Sequence, residues 1–203
     1  AATLRMRGRP KVVLARSYEE AIDVYKRYSQ NVLGVISDVR FPMKSAPEKS
    51  TYGNKVEKDS EAGLKLLRAI RQDNEYVPLI MESSEAENRA KAEAEGFRFV
   101  DKNSKKMSLD LRHILEEHMG FGDFIFRNPQ TQEEGMRVSS LKELQDNIFK
   151  IPRESMLYHV SRNHMSRWLS ARAIFPVSEF LKDVTWHKLQ DVDAHRQIIF
   201  DAI

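Results

Sequence analysis

Short apolar runs alternate with amphipathic segments over roughly the first 118 residues, and this alternation limits the folds open to the chain. Apolar runs bounded by breakers are typical of buried strands. We therefore predict strands at Lys11–Ala15, Val32–Ser37, Val77–Met81 and Phe97–Val100. Because helical segments separate them, the strands should be parallel with right-handed crossovers. The expected fold class is α/β, with a doubly wound sheet.

The segments between and after these runs have helical periodicity. Ser17 is placed to cap a helix through Tyr28, and residues 63–72 put Leu64, Leu67 and Ile70 on one face. Residues 83–95 and 109–118 read as further helices, with Ser83 or Ser84 as the N-cap of the first. The polar stretch 43–61 lacks apolar periodicity and is predicted to be an exposed loop. Residues 4–10 read as the basic end of a helix stopped by Gly8 and Pro10.

The pattern changes after residue 119. A strand-like run at 124–126 is followed by helical segments near 139–150, 152–160, 162–174 and 176–182. We therefore predict two domains, an α/β domain over 1–119 and a smaller, mainly helical domain over 120–203.

Composition narrows the classes of partner. Thirty-three Lys and Arg against 30 Asp and Glu give a formal net charge of only +3, which disfavours a dedicated nucleic-acid binder. The chain has no cysteine, which suits a reducing compartment. Its apolar runs are shorter than the roughly 20 residues that span a bilayer. We expect a cytoplasmic protein with no nucleic-acid partner and no membrane association.

Polar residues follow three of the predicted strands: Asp38, then Ser83 with Ser84, then Lys102. The carboxyl ends of parallel strands meet at one edge of a sheet, so these side chains should converge. A carboxylate nucleophile, a hydroxyl and an ammonium suit phosphoryl transfer to the carboxylate. Taken singly, each residue has a simpler interpretation: Asp38 as a turn cap, Ser83 as a helix cap, and Lys102 as a solvated lysine.

The same residues resemble a family. Asp38-Val39-Arg40-Phe41-Pro42 is similar to the phosphoacceptor segment of response-regulator receiver domains. The segments 63–71, 78–84 and 97–102 resemble that family's third helix, fourth strand and fifth strand, in the correct order. The resemblance implies a flavodoxin-like sheet in which Asp38 is phosphorylated, Ser83 is the switch hydroxyl, Phe99 the rotating aromatic and Lys102 the conserved ammonium. It also implies a histidine kinase or another phosphodonor as partner.

The chain departs from the receiver pattern in three places. The family's first strand, which ends in the acidic pair that holds magnesium, has no counterpart in this sequence. Asp38 would therefore be the partial remnant of a magnesium site, with Mg²⁺ expected only if an upstream acidic pair is present. Asn103 stands where the family usually has proline, and the insertion after Pro42 is long.

A second resemblance covers residues 157–172, which are similar to a segment of large bacterial proteins. Those proteins place a receiver-like domain ahead of a phosphoenolpyruvate synthase-like or pyruvate phosphate dikinase-like region. This resemblance implies a regulatory module, not itself an enzyme, that controls downstream enzyme domains of a longer chain. The alternative is a degenerate receiver that is never phosphorylated and acts as a scaffold or oligomerisation module, and a homo-oligomer is compatible with both.

Three sets of residues in the second domain have structural interpretations. His159 and His164 are five positions apart, which is unsuited to a helical zinc pair, so we predict packing or capping roles. Met165, Trp168 and Leu169 have helical spacing and should form a core face. The third set is a basic flank of Arg162, Arg167 and Arg172. We predict that this flank is solvated, and the alternative is that it docks an acidic partner or a phosphate.

Overall fold

The computed structural model describes residues 11–45, 57–189 and 191–203, which divide into two compact units. Residues 11–112 form one unit, here called the α/β unit, and residues 113–203 form the C-terminal unit. The predicted domain boundary after residue 119 falls inside the C-terminal unit and stays a prediction.

The α/β unit contains a three-stranded parallel sheet in the order β1-β4-β5. Its elements, in chain order, are α1 (Tyr18–Tyr28), β1 (Val35–Asp38), β2 (Phe41–Pro42), β3 (Lys58–Asp59), α2 (Ala62–Asp73), β4 (Leu79–Ser83), α3 (Glu87–Ala94), β5 (Arg98–Asp101) and the start of α4 (Met107–Glu117). The α/β class and the parallel strands are thus confirmed. The doubly wound, flavodoxin-like arrangement stays a prediction.

Among the described residues, helix α2 supplies more of the buried core of this unit than any other element. Its residues Leu64, Leu66, Leu67 and Ile70 are buried against apolar residues of β4, and Tyr25 of α1 joins the same cluster. Ser17 caps α1 as predicted, since its hydroxyl accepts a hydrogen bond from the backbone N–H of Glu20 at 3.1 Å. The predicted apolar face of α2 is therefore the face that holds the helix on the sheet.

The predicted strand at Lys11–Ala15 is wrong. Residues 11–15 form no strand, and Val12 and Leu14 are 89% and 71% exposed. A strand requires a hydrogen-bonded neighbour, and within the described residues β1 pairs only with β4. The apolar run has the composition of a strand but no partner, and Ile36 of β1 is likewise 44% exposed.

The predicted loop at 43–61 and the predicted cap of α3 also need correction. Lys58–Asp59, which was predicted to be part of the exposed loop 43–61, forms a short strand that pairs antiparallel with Phe41–Pro42. Residues 46–56, and the predicted helix end at 4–10, lie outside the described residues. Helix α3 begins later than predicted, and the residue preceding it is Ala86, which makes no side-chain cap.

The C-terminal unit consists of a two-stranded antiparallel sheet and several helices around one core. After the end of α4 come β6 (Phe124–Arg127), β7 (Glu134–Val138), α5 (Leu141–Asn147), α6 (Arg153–Val160), α7 (His164–Ser170), α8 (Phe175–Asp183) and α9 (Val192–Ala202). The predicted core residues Met165, Trp168 and Leu169 are all buried there. Sequence analysis missed β7 and α9.

No helix within the described ranges is both long enough and apolar enough to cross a membrane.

Candidate functional site

Asp38 and Lys102 meet at the carboxyl edge of the sheet. Asp38 is the last residue of β1, and Lys102 directly follows β5, with β4 between the two strands. The Lys102 ammonium donates a hydrogen bond to Asp38 Oδ2 at 2.7 Å. Asp38 Oδ1 accepts from the backbone N–H of Val39, also at 2.7 Å. The side chain of Asp38 is about half exposed, so an approaching molecule could reach it.

A second carboxylate lies beside Asp38. Glu82 of β4 is in register with Asp38, and its Oε1 is 3.5 Å from the Lys102 Nζ. Lys102 therefore lies between two carboxylates that come from neighbouring strands. Counting these three side chains, the edge has a net charge of −1.

The ion pair changes the pKa of both partners. Burial works to raise the pKa of Asp38, but the hydrogen bonds from Lys102 and the backbone, together with the lysine charge, hold it below its usual value. Burial works to lower the pKa of Lys102, but the Asp38 hydrogen bond and the charges of Glu82 and Asp38 raise it overall. At neutral pH the site therefore contains an ionised carboxylate beside a cation.

Ser83 follows Glu82 at the end of β4, but its hydroxyl already has partners. The side chain of Ser83 is buried, and its Oγ accepts hydrogen bonds from the backbone N–H of Glu85 and from Asn88 Nδ2, both at 3.0 Å. Successive side chains of a strand point to opposite faces, so Ser83 and Glu82 project differently. In this arrangement Ser83 fastens the turn between β4 and α3.

The partners of Ser83 lead to a stability prediction. Replacing Ser83 with alanine removes two accepted hydrogen bonds and leaves the Asn88 amide with one weaker acceptor, Glu85 Oε2 at 3.2 Å. We expect Ser83→Ala to lower the free energy of unfolding by about 1–3 kcal/mol, measured by chemical denaturation without any phosphodonor. Ser84→Ala, at the exposed neighbouring position, is the matched control and should change it by less than about 0.5 kcal/mol. Equal stability of the Ser83 variant and the native chain would contradict this role.

Phe99 lies on β5 and packs partly buried against the core of the α/β unit. The guanidinium of Arg89, on α3, is 4.8 Å from the centre of the Phe99 ring. This cation–π contact is within the usual range for such pairs. Any rotation of Phe99 would have to break it.

The backbone around the site is held by two close approaches. Gly63 donates its N–H to the carbonyl of Val39 at 3.0 Å, and a Cβ at position 63 would overlap the carbonyl oxygen of Asp38. At the other side, Lys102 donates its N–H to the carbonyl of Ser83 at 2.9 Å, and Asn103 Nδ2 donates to the carbonyl of Ser84 at 2.8 Å. Asn103, a departure from the receiver pattern, thus ties the loop carrying Lys102 to the end of β4.

Within the described residues, no group of three or more His, Asp or Glu side chains is placed to hold a metal ion. Asp38 and Glu82 are two carboxylates at this edge, and the ammonium of Lys102 already lies against both. A divalent cation bound by these two residues would have to displace the lysine.

The sequence prediction named Asp38, Ser83, Phe99 and Lys102, and the structure brings Asp38 and Lys102 into direct contact. It missed Glu82, although a charged residue directly after the apolar run Val77–Met81 was a usable signal. It also missed the anchoring role of Asn103, which depends on the position of a backbone carbonyl.

A cluster in the C-terminal unit was not foreseen. His159 Nδ1 and His164 Nδ1 are 3.0 Å apart, and the backbone N–H of Arg127 donates to His159 Nε2 at 2.9 Å. His159 must therefore carry its proton on Nδ1 and donate to His164, whose own proton is on Nε2. The turn between α6 and α7 contains Asn163 in a left-handed conformation (φ 54°), which lets residues five apart meet. These are packing histidines, as predicted, but they form a pair.

The predicted solvated basic flank is wrong for two of its three arginines. The guanidinium of Arg172 donates to the carbonyls of Gly120 and Gly122, both at 2.7 Å, and lies over the Trp168 ring. Arg167 donates to the carbonyl of His118, and burial lowers its pKa to about 10. Backbone carbonyls of the segment 118–122 accept these hydrogen bonds, and helical periodicity within one segment does not reveal such acceptors.

Comparisons of the chain with protein-family models, with curated proteins and with solved structures found no match.

Proposed function

We propose that the α/β unit is a receiver-like regulatory module in which Asp38 accepts a phosphoryl group. The observation that carries this proposal is the 2.7 Å contact between Asp38 and Lys102, which come from strands two positions apart in the sheet. A half-exposed carboxylate that is ionised at neutral pH is a competent nucleophile. An adjacent ammonium offers positive charge to the phosphoryl oxygens.

The chemical step is a transfer from an acyl phosphate or a phosphohistidine. An oxygen of the Asp38 carboxylate attacks phosphorus, the bond from phosphorus to the donor breaks, and the donor leaves with the electron pair. Lys102 then exchanges its contact with the carboxylate for one with a phosphoryl oxygen. The modification adds about −1.5 to −2 charges at the sheet edge, enough to disturb neighbouring ion pairs. The exposed pair between Arg40 and Glu85, at 2.8 Å, is close in sequence to both Asp38 and Ser83.

The output in this proposal is an attached enzyme of the phosphoenolpyruvate synthase or pyruvate phosphate dikinase type, as the resemblance of residues 157–172 implies. A histidine kinase or another phosphodonor is the input partner. Magnesium belongs to the proposal only if an upstream acidic pair is present to complete the site.

Labelling by a small phosphodonor tests the proposal. The chain is incubated with acetyl phosphate and Mg²⁺, and we expect a mass gain of one phosphoryl group that hydroxylamine removes. Asp38→Asn should abolish the gain because it removes the nucleophilic oxygen. Asp23→Asn, which changes an exposed carboxylate on α1, should label like the native chain. Absence of label in the native chain, or label that persists in Asp38→Asn, would rule out Asp38 as the acceptor.

A second candidate function is a scaffold that is never phosphorylated. It is favoured by the buried Ser83 hydroxyl, which already accepts two hydrogen bonds, and by the closed contact of Lys102 with Asp38. The labelling experiment separates the two functions, since a scaffold gains no phosphoryl group.

A further inference from the structure

We propose that Glu82 sets the affinity of the strand-end site for phosphate-type anions by sharing the Lys102 ammonium with Asp38. The inference rests on the proposed function, because it concerns the same site. It adds a residue to which neither the strand-end pattern nor the receiver resemblance assigns a role.

The position of Glu82 follows from the sheet register. Asp38 pairs with Glu82 across the parallel β1–β4 ladder, so both carboxylates project from the same face at adjacent positions. The three residues before Glu82 on β4, Leu79, Ile80 and Met81, are buried apolar side chains. Burial of these side chains holds in place the strand from which the Glu82 carboxylate projects.

The Lys102 ammonium contacts both of these carboxylates. Its Nζ is 2.7 Å from Asp38 Oδ2 and 3.5 Å from Glu82 Oε1, and its backbone is fastened to Ser83. The ammonium therefore interacts with Glu82 as well as with Asp38, the carboxylate that is proposed to accept the phosphoryl group.

The charges at the site indicate whether Glu82 strengthens or weakens phosphate binding. With Glu82 ionised, an incoming phosphate meets two carboxylates and one ammonium. With a neutral amide at position 82, the phosphate meets one carboxylate and one ammonium. Removing one negative charge a few ångströms from a bound anion should strengthen binding roughly three- to tenfold at low ionic strength. Glu82 thus keeps the site weakly occupied by free phosphate.

The test compares Glu82→Gln with the native chain, using inorganic phosphate as the probe. Chemical shifts of the Lys102 side chain, followed by NMR in low salt, report both phosphate binding and the pKa of the ammonium. We expect Glu82→Gln to bind phosphate roughly three- to tenfold more tightly, with the difference shrinking at high salt. We also expect a lower pKa for Lys102, because one of the charges that raises it is gone.

Glu75→Gln is the matched control, since it makes the same charge change at an exposed position between α2 and β4. It should leave phosphate affinity and the Lys102 pKa unchanged. Equal or weaker phosphate binding by Glu82→Gln, including no binding by either protein, overturns the inference.

The two proposals fail separately. If Asp38 is labelled by acetyl phosphate but Glu82→Gln binds phosphate like the native chain, the phosphoacceptor proposal stands and this inference falls. If Glu82→Gln binds phosphate more tightly but Asp38 is never labelled, the site is an anion site tuned by Glu82 and the phosphoacceptor proposal falls.

Discussion

Gly63→Ala should destabilise the α/β unit by about 3 kcal/mol or more. A Cβ on Gly63 would overlap the carbonyl oxygen of Asp38 and lie 3.0 Å from the Cα of Val39. Both obstacles are backbone atoms, so no side chain can rotate away, and helix α2 must shift off the sheet. Overpacking in a tight site typically costs about 1–3 kcal/mol, and an obstacle made of backbone places this case at or above the upper end. Thermal and chemical unfolding followed by circular dichroism measure the loss.

Gly96→Ala is the matched control for this substitution. Gly96 has a φ of +72°, and nothing lies within 4 Å of the position its Cβ would take. Its cost should therefore be only the conformational cost of a left-handed alanine, about 1–2 kcal/mol. Faster amide exchange in α2 for Gly63→Ala, but not for Gly96→Ala, would show that the helix has moved. An equal or smaller loss for Gly63→Ala would contradict the close approach.

Acidification from pH 7 to pH 5 should lower the unfolding free energy of the C-terminal unit by about 2 kcal/mol through His159 alone. Burial, together with the charges of Arg127 and Arg162, lowers the pKa of His159 from 6.5 to about 4. Burial and the charges of Arg167, His159, Arg162 and His118 lower the pKa of His164 as well. The unfolded chain takes up these protons below pH 6.5, whereas the folded pair does not. The stabilisation is complete above pH 6.5 and is lost progressively as the pH falls toward 4.

Tryptophan fluorescence is the selective measurement. Both tryptophans, Trp168 and Trp186, belong to the C-terminal unit, so denaturation curves at a series of pH values report on it alone. His159→Gln should flatten the dependence on pH, whereas His187→Gln, at an exposed position, should not. Histidine ¹⁵N spectra should show the proton on Nδ1 of His159 and on Nε2 of His164. Identical pH dependence in His159→Gln and the native chain would exclude the pair as its source.

The extent to which the site was predictable differs between its residues. Asp38 and Lys102 could be placed together because parallel strands end at one edge, whatever the details of packing. Placing Glu82 beside Asp38 required knowledge of the register between β1 and β4. If that register shifted by one residue, the Glu82 side chain would lie on the other face of the sheet. Ser83 was expected at the same edge, but its hydroxyl partners depend on where α3 begins. The helix begins at Glu87, after Ala86, whereas the sequence predicted a helix from residue 83.

Local sequence determined the features that arise within one element: the Ser17 cap, the buried face of α2, and the buried Met165, Trp168 and Leu169 of α7. These follow from periodicity and from backbone groups only a few residues away. Tertiary structure decided the contacts between elements, among them the β1–β4 pairing that leaves residues 11–14 exposed. It also decided which arginines find carbonyls, which histidines meet across a turn, and which carboxylate shares Lys102 with Asp38. The physical reason is the same in each case: a hydrogen bond or an ion pair needs a partner within a few ångströms, and in these contacts the partner comes from a different element or across a turn whose shape local propensity does not specify.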